Sequence, residues 1–221
     1  MKKEIRSIES FDKINFKDFG TLVLTQGEEE SLTIEADEDL LSELISEVRN
    51  GTLVLGMDDD WLNRIGKVIT SVLNNKDQKV TYHLTFVDLM QVNISGSCDL
   101  TCDSLKTDEI LLKVSGKANL AFDQLECSAL EVKISGRGEF SAAGRADQQK
   151  IKISGSGEVI APNLESQSVK IVISGQGNAT VRVQNNLDIT ISGLGQIDYY
   201  GRPKLRQVIS GLGKSKRLED E

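Results

Sequence analysis

One tripeptide recurs seven times between residues 94 and 211: an isoleucine or valine followed by serine and glycine. The seven glycines are 20, 20, 19, 20, 18 and 18 residues apart. A near-constant period of this length predicts a repeat architecture in which each repeat forms one structural unit. The seven pairs are Ser95-Gly96, Ser115-Gly116, Ser135-Gly136, Ser154-Gly155, Ser174-Gly175, Ser192-Gly193 and Ser210-Gly211.

The residues on both sides of each glycine alternate between apolar and polar. Before Gly136, for example, Val132 and Ile134 flank the polar Lys133. After the glycine come a small residue and a second apolar alternation. Alternation with a period of two indicates strands that bury one face. Because a unit of 18 to 20 residues leaves no room for a full helix, the sequence predicts an all-β parallel β-helix, with coils stacked about 4.8 Å apart.

The Ser-Gly pairs are interpreted as structural bends of this solenoid. Glycine adopts left-handed or otherwise open backbone conformations without a Cβ clash. Serine can hydrogen-bond to nearby backbone groups or to the serine of the next coil, which predicts a ladder of hydroxyls. A nucleophilic serine needs one special residue beside a base. Here seven equivalent serines occur and the only histidine is His83, so catalysis at the bends is not expected.

A single domain over residues 1–221 is predicted in three parts. Residues 1–90 supply strands and capping helices, residues 91–213 the seven coils, and residues 214–221 a charged, frayed tail. Asp37 is predicted to cap a helix that ends at Asn50-Gly51. A second amphipathic segment, residues 61–73, begins with the only tryptophan, Trp61. It is interpreted either as a lid over one end of the solenoid or as a partner or oligomer contact. The apolar stripe of the first helix consists of Leu40, Leu41, Leu44, Ile45 and Val48.

Composition argues against several classes of function. The net charge of −8 disfavours nucleic-acid binding, which needs clustered basic residues. No apolar run is long enough for a transmembrane helix. The basic start of the chain lacks the apolar region of a signal peptide, so a cytosolic protein and one whose leader was removed both stay open. Three cysteines do not suggest a disulfide framework, and Cys98 and Cys102 lack the further ligands of a zinc site. No cofactor is predicted.

The outward-facing charged residues form columns along the stack. Glu139 and Glu158, in adjacent coils, could bind a cation or a sugar, or could simply be a solvated edge. On the other strand of each coil, a basic column is interleaved with Glu131 and Asp188, and mixed charges of this kind keep a flat sheet soluble. The column of the two glutamates contains Asp99, Asn119, Glu139, Glu158 and Asn178, and the basic column contains Lys113, Lys133 and Lys152.

Three stretches together resemble one bacterial family. They are Phe11 to Gly27 (FDKINFKDFGTLVLTQG), Leu32 to Leu55 (LTIEADEDLLSELISEVRNGTLVL) and the serial bends from Ser95 to Gly213. The family is known as "putative auto-transporter adhesin, head GIN domain", a domain of unknown function common in Bacteroidetes. The resemblance implies a right-handed, single-stranded parallel β-helix of the pectate-lyase-like type, often exported to the cell envelope. It carries over no catalytic or binding residues.

Three functions are compatible with these observations. The first is a non-catalytic adhesin or cell-envelope protein that presents its β-helix faces to a polysaccharide or a surface protein. The second is a carbohydrate-active enzyme, because parallel β-helices include polysaccharide lyases and hydrolases; the lack of a converging acidic or basic cluster disfavours it. The third is a scaffold that assembles into a homo-oligomer through its ends. The residues singled out as surface contacts are Trp61, Glu139 and Glu158.

Overall fold

The structure is a computed structural model. It describes residues 1–57 and 79–219. Nearly all of the described chain is strand, and the strands join one sheet. In the N-terminal region the elements are β1 Lys2–Arg6, β2 Lys13–Phe16, β3 Phe19–Gln26, β4 Ser31–Ala36, α1 Glu38–Leu41, β5 Leu44–Arg49, β6 Thr52–Met57, β7 Thr81–Phe86 and β8 Gln91–Ile94. The repeats contain β9 Ser97–Val114, β10 Lys117–Ile134, β11 Arg137–Ile153, β12 Ser156–Ile173, β13 Gln176–Ile191, β14 Leu194–Tyr200, β15 Lys204–Ile209 and β16 Leu212–Arg217.

The repeats stack as a parallel β-helix of about six turns, which confirms the fold class predicted from the sequence. Each long strand from β9 to β13 runs from one Ser-Gly bend to the next and pairs in parallel with the equivalent strand of the next coil. Equivalent residues are register partners: Val132 lies opposite Leu112 on one side and Ile151 on the other. The sequence period therefore sets the register.

The core consists of apolar columns that run along the solenoid axis. One column passes through Phe140, which is fully buried, and another through Ile151. Because each coil buries its inward side chains only against the coils above and below, stability comes from the interfaces between neighbouring coils. The first column contains Leu100, Leu120, Phe140, Val159, Ala179 and Ile197, and the second Leu112, Val132, Ile151, Ile171 and Ile189.

The N-terminal strands extend the same stack without a Ser-Gly bend. β2 pairs in parallel with β8 and β3 with β9, and β6 and β7 form a further layer on β2 and β3. At the bend between β2 and β3, the carbonyl of Phe16 accepts a hydrogen bond from the Ser95 amide (3.0 Å), and that of Asp18 accepts one from Ser97 (2.9 Å). Asp18 therefore occupies the position that glycine occupies in later coils.

Antiparallel strands close this end of the stack. β4 pairs with β7 and β1 with β4, while β5 forms a hairpin with β6. The predicted helix of residues 38–49 is wrong beyond its first turn: α1 has four residues, and Asp37 makes no side-chain cap hydrogen bond. Asn50 (φ 51°) and Gly51 (φ 73°) form the hairpin turn. An Asn-Gly pair with both residues at positive φ is the favoured turn of a two-residue β-hairpin.

The C-terminal end is more ordered than predicted. The sequence indicated a frayed tail from Lys214, but β16 continues to Arg217 and pairs with β14. Gln207 lies opposite the inward-facing Ile189, and its Oε1 accepts a hydrogen bond from Ser215 Oγ (2.7 Å). The apolar column of Ile189 therefore ends in a polar pair. The segment from Trp61 to Leu73 lies outside the described residues.

Candidate functional site

The glycines of the bends are required by the close approach of neighbouring coils. A Cβ atom placed on any of the seven would lie 1.8 to 2.1 Å from a carbonyl oxygen of the preceding bend. None of the seven has a positive φ; Gly20, Gly51, Gly144 and Gly201 do. Of the two backbone conformations expected for these glycines, left-handed or otherwise open, the left-handed one is therefore wrong. Glycine is needed because two backbones stack with no space for a side chain.

The serines of the bends lie exposed along one edge of the solenoid. Their amides extend the ladder between coils: the amides of Ser135 and Gly136 both donate to the carbonyl of Val114, at 2.8 and 3.1 Å. Ser95 Oγ donates to the carbonyl of Phe16 at 3.5 Å, and within residues 1–57 and 79–219 no bend serine hydrogen-bonds to another. In these described residues, backbone amides join successive bends, and the predicted ladder of serine hydroxyls is not formed.

Glu139 and Glu158 lie side by side on β11 and β12 as register partners. They border a shallow groove of about 300 Å³, together with the basic side chain of Arg137. Neighbours in the same column pair with each other, since Asn119 Nδ2 donates to Asp99 Oδ1 (2.8 Å). No cluster of three or more His, Cys, Asp or Glu suited to a metal ion is found among the described residues. Two carboxylates alone supply too few oxygens for calcium, which takes 6 to 8.

A second surface carries an excess of positive charge. We define the lysine face as the outward side chains of β8 and of the C-terminal four residues of each of β9 to β13 and β15. At its centre, Glu131 Oε1 lies 3.0 Å from Lys133 Nζ and 2.8 Å from Lys150 Nζ. These lysines lower the pKa of Glu131, with the contact to Lys150 as the main cause. The basic members of the face are Lys113, Lys133, Lys150, Lys152, Lys170 and Arg206, and the acidic ones are Glu131 and Asp188.

A long groove of about 690 Å³ runs beside the lysine face. Lys150 and Lys170 line it together with Glu131 and Asp188 of the same column, and polar side chains of the neighbouring column line it as well. Leu130 and Val169, both buried, lie at its floor. The sequence interpretation named only the first basic column, although Lys150 and Lys170 each lie five residues before a bend glycine, as Glu131 does. The polar side chains include Gln148, Ser168 and Asn186.

The three cysteines are free and buried. Burial raises the pKa of Cys98 to about 12 and those of Cys102 and Cys127 to about 11. The thiols therefore stay protonated at neutral pH, whereas the thiolate is the form that attacks electrophiles and binds metals. These cysteines are apolar core residues.

The profile of the family described as "Putative auto-transporter adhesin, head GIN domain" matches residues 10–203. The chain belongs to this family. The match extends over the N-terminal layers and most of the repeats. No curated protein matches the sequence. Within the described residues, no helix is long and apolar enough to cross a membrane.

Solved structures similar to this head GIN domain share its fold. A "putative adhesin" from Bacteroides fragilis has a TM-score of 0.88 at 24% identity, over 98% of this chain and 96% of that one. A "putative lipid binding protein" from Parabacteroides distasonis has a TM-score of 0.73 at 22% identity, over 98% and 96%. A "putative adhesin" from Parabacteroides merdae has a TM-score of 0.69 at 21% identity, over 98% and 95%. At these identities the likeness is one of fold.

Proposed function

We propose that this head GIN domain is a non-catalytic adhesin of the bacterial cell envelope, which binds a surface polymer or protein through its long faces. The observation that carries the proposal is the register of the coils, which turns outward side chains into straight columns along the solenoid axis. Such a surface offers the same kind of contact every 4.8 Å or so. It suits an extended ligand better than a small molecule, which is usually bound in a concave pocket.

Membership of a family described as adhesins and the likeness to structures named as adhesins support this proposal. The chemistry of the described residues supports it as well. His83 lies on β7 with its Nε2 3.9 Å from Glu35 Oε2, and within the described residues no bend serine hydrogen-bonds to it. The thiols are buried and protonated. A binding role needs neither an activated nucleophile nor a general base.

The test is binding of the purified full chain to an array of glycans and matrix proteins. We expect at least one immobilised polymer or protein to bind above the level of the heat-unfolded chain, with a dissociation constant that repeats in solution. Fractionation of the native host, followed by detection with an antibody, should find the protein in the envelope or outside the cell. An array without any specific ligand would overturn the proposed function.

The second candidate function is a carbohydrate-active enzyme, and one observation favours it. Glu139 and Glu158 border the same groove, and most glycoside hydrolases use a pair of carboxylates. Prolonged incubation with pectin and related polysaccharides, followed by measurement of reducing ends, separates the two functions. An adhesin releases none. Turnover that disappears in both Glu139→Gln and Glu158→Gln would instead support the enzyme.

Self-assembly is favoured by a different feature, the apolar side chains exposed on the last coils. Leu194 is 47%, Val208 59% and Leu212 80% exposed. Exposed apolar patches often mark contacts between proteins. Light scattering of the full chain should then give more than the monomer mass, and Leu194→Asn/Leu212→Asn should restore the monomer. A monomer at all concentrations rejects the scaffold and leaves the adhesin proposal unaffected.

A further inference from the structure

We infer that the lysine face binds an acidic polysaccharide that lies along the solenoid axis. The inference rests on the adhesin function proposed above and names the class of its ligand. It follows from the distribution of charge, the geometry of the basic columns and the polar groove beside them.

The charge of the lysine face differs from that of the chain as a whole. The chain has a net charge of −8, yet the face carries six basic side chains and two acidic ones. Glu131 is already engaged by Lys133 and Lys150, and Asp188 lies 4.0 Å from Arg206.

Three lysines of this face are left without an acidic partner within the described parts of the chain: Lys113, Lys152 and Lys170. Lys152 and Lys170 are exposed and Lys113 is half-buried. These ammonium groups are the ones available to an anion from solution.

The basic residues stand in two straight columns across the strands. Lys133 is the register partner of Lys113 on one side and of Lys152 on the other, while Lys150 lies opposite Lys170. Like charges directly opposite each other on neighbouring strands are destabilising. A linear polyanion along the axis would meet at least one lysine in each of the four successive coils of β9 to β12, about 4.8 Å apart, and would relieve this repulsion.

The groove beside the columns suits the uncharged parts of a sugar chain. Gln148, Ser168 and Asn186 supply amide and hydroxyl groups, which can both donate and accept hydrogen bonds. Three carboxylates also border this groove. They are Glu109, Glu131 and Asp188. Glu131 and Asp188 lie in the same column as Lys150 and Lys170, one on each side of that pair, and each has a basic neighbour within 4.0 Å.

The same face is poorly suited to nucleic acids. Its outward side chains include no aromatic residue, so it has no platform for the stacking of bases that single strands require. A flat sheet face also does not enter the major groove, which admits a helix or a two-stranded ribbon. The outward residues are Gln91, Asn93, Leu111, Lys113, Glu131, Lys133, Lys150, Lys152, Lys170, Val172, Asp188, Thr190, Arg206 and Val208.

The experiment compares four probes on the full chain: polygalacturonate, dextran sulfate, neutral dextran and a DNA duplex. Affinity is measured at about 0.01 M and about 0.15 M ionic strength, between which the Debye length falls from about 30 to about 8 Å. We expect the two acidic polysaccharides to bind more tightly than the other probes, and the higher ionic strength to weaken them. The carboxylated and sulfated polymers distinguish the two kinds of anionic group.

Two matched triple variants test the location of the site. Lys113→Gln/Lys152→Gln/Lys170→Gln removes the unpaired lysines and leaves the ion pairs of Glu131 intact; we expect affinity for the acidic polysaccharides to fall about tenfold or more. Replacement of the same three lysines with arginine should retain binding. The control, Lys17→Gln/Arg202→Gln/Lys216→Gln, makes the same change of charge at exposed residues outside the lysine face and outside both grooves. Its affinity should stay within about twofold of the parent.

The remaining outcomes separate the inference from the function on which it rests. Equal losses in the two glutamine variants, or no loss in the first, overturn the lysine face as the site. Equally tight, lysine-dependent binding of the DNA duplex overturns the choice of a polysaccharide. If the chain binds a neutral polymer or a protein but neither acidic polysaccharide, the inference fails and the adhesin function stands. If nothing binds, both fail.

Discussion

The phenol of Tyr82 donates a hydrogen bond to Oδ2 of Asp18 in the interior of the N-terminal layers. Oδ1 of the same carboxylate accepts one from the amide of Phe19 (2.8 Å). The ring of Phe16 packs edge-on against Tyr82, with 5.4 Å between the centroids. Asp18 stands where later coils have a bend glycine, so the bend between β2 and β3 is held by a buried side chain rather than by close backbone contact alone.

Loss of the Tyr82 hydroxyl should destabilise the protein. In Tyr82→Phe the buried Asp18 Oδ2 loses its donor, and an unsatisfied buried acceptor costs about 1–3 kcal/mol. Urea unfolding followed by circular dichroism measures the free energy of unfolding. Tyr200→Phe is the matched control: it keeps the ring that stacks on Arg182 and should change stability by less than about 0.5 kcal/mol. Equal effects of the two variants would contradict this role for the Tyr82 hydroxyl.

Asp18 should also shape the dependence of stability on pH. Burial raises the pKa of its carboxyl above the ordinary value of 3.8, despite the opposing hydrogen bonds from Tyr82 and Phe19. The folded protein therefore holds this proton more tightly than the unfolded chain. The contribution of the protonated Asp18 carboxyl to stability is fully present below pH 3.8. It is lost as the pH rises through the folded-state pKa. Relative to Asp18→Asn, the parent should gain stability as the pH falls; a difference independent of pH would contradict this.

Glu131 should show the opposite trend. Its contacts with Lys150 and Lys133 lower its pKa from the ordinary value of 4.5, so the folded protein favours the carboxylate. Its contribution to stability is present above pH 4.5 and is lost as the pH falls through the folded-state pKa. The advantage of the parent over Glu131→Gln in urea unfolding should therefore shrink in acid. An advantage that grew in acid would mean that the lysines do not stabilise this carboxylate.

The sequence predicted the stack because one period governs both the bends and the inward columns. It did not predict that the N-terminal strands continue the stack, since Lys17-Asp18 replaces Ser-Gly at that bend. The predicted helix was extended through residues 44–49 because Leu44, Ile45 and Val48 continue the helical stripe of Leu40 and Leu41. Pairing with β6 overrides that pattern, and Asn50-Gly51 was read as a helix stop although it is a hairpin turn. For the lysine face, the sequence interpretation named one basic column and missed the second, although both follow the same period.

Gly136 should be one of the least replaceable residues of the solenoid. In Gly136→Ala the new Cβ would lie 2.1 Å from the carbonyl oxygen of Gly116 and 2.2 Å from that of Ser115. Because both are backbone atoms of a stacked coil, the two coils must separate. We expect a loss of about 3 kcal/mol in the free energy of unfolding, the upper part of the usual range for overpacking, measured by urea unfolding.

The matched control is Gly138→Ala, two residues further along the same strand. There the nearest atom to the new Cβ is a methyl carbon of Ile134 at 3.3 Å, and the preceding coil already has Ala118 at the equivalent position. This variant should lose less than about 1 kcal/mol, because a side chain can shift where a backbone cannot. Ser135→Ala, which alters only an exposed hydroxyl, should stay within about 0.5 kcal/mol of the parent. If Gly136→Ala were as mild as Gly138→Ala, close backbone stacking would not be the reason that glycine recurs at the bends.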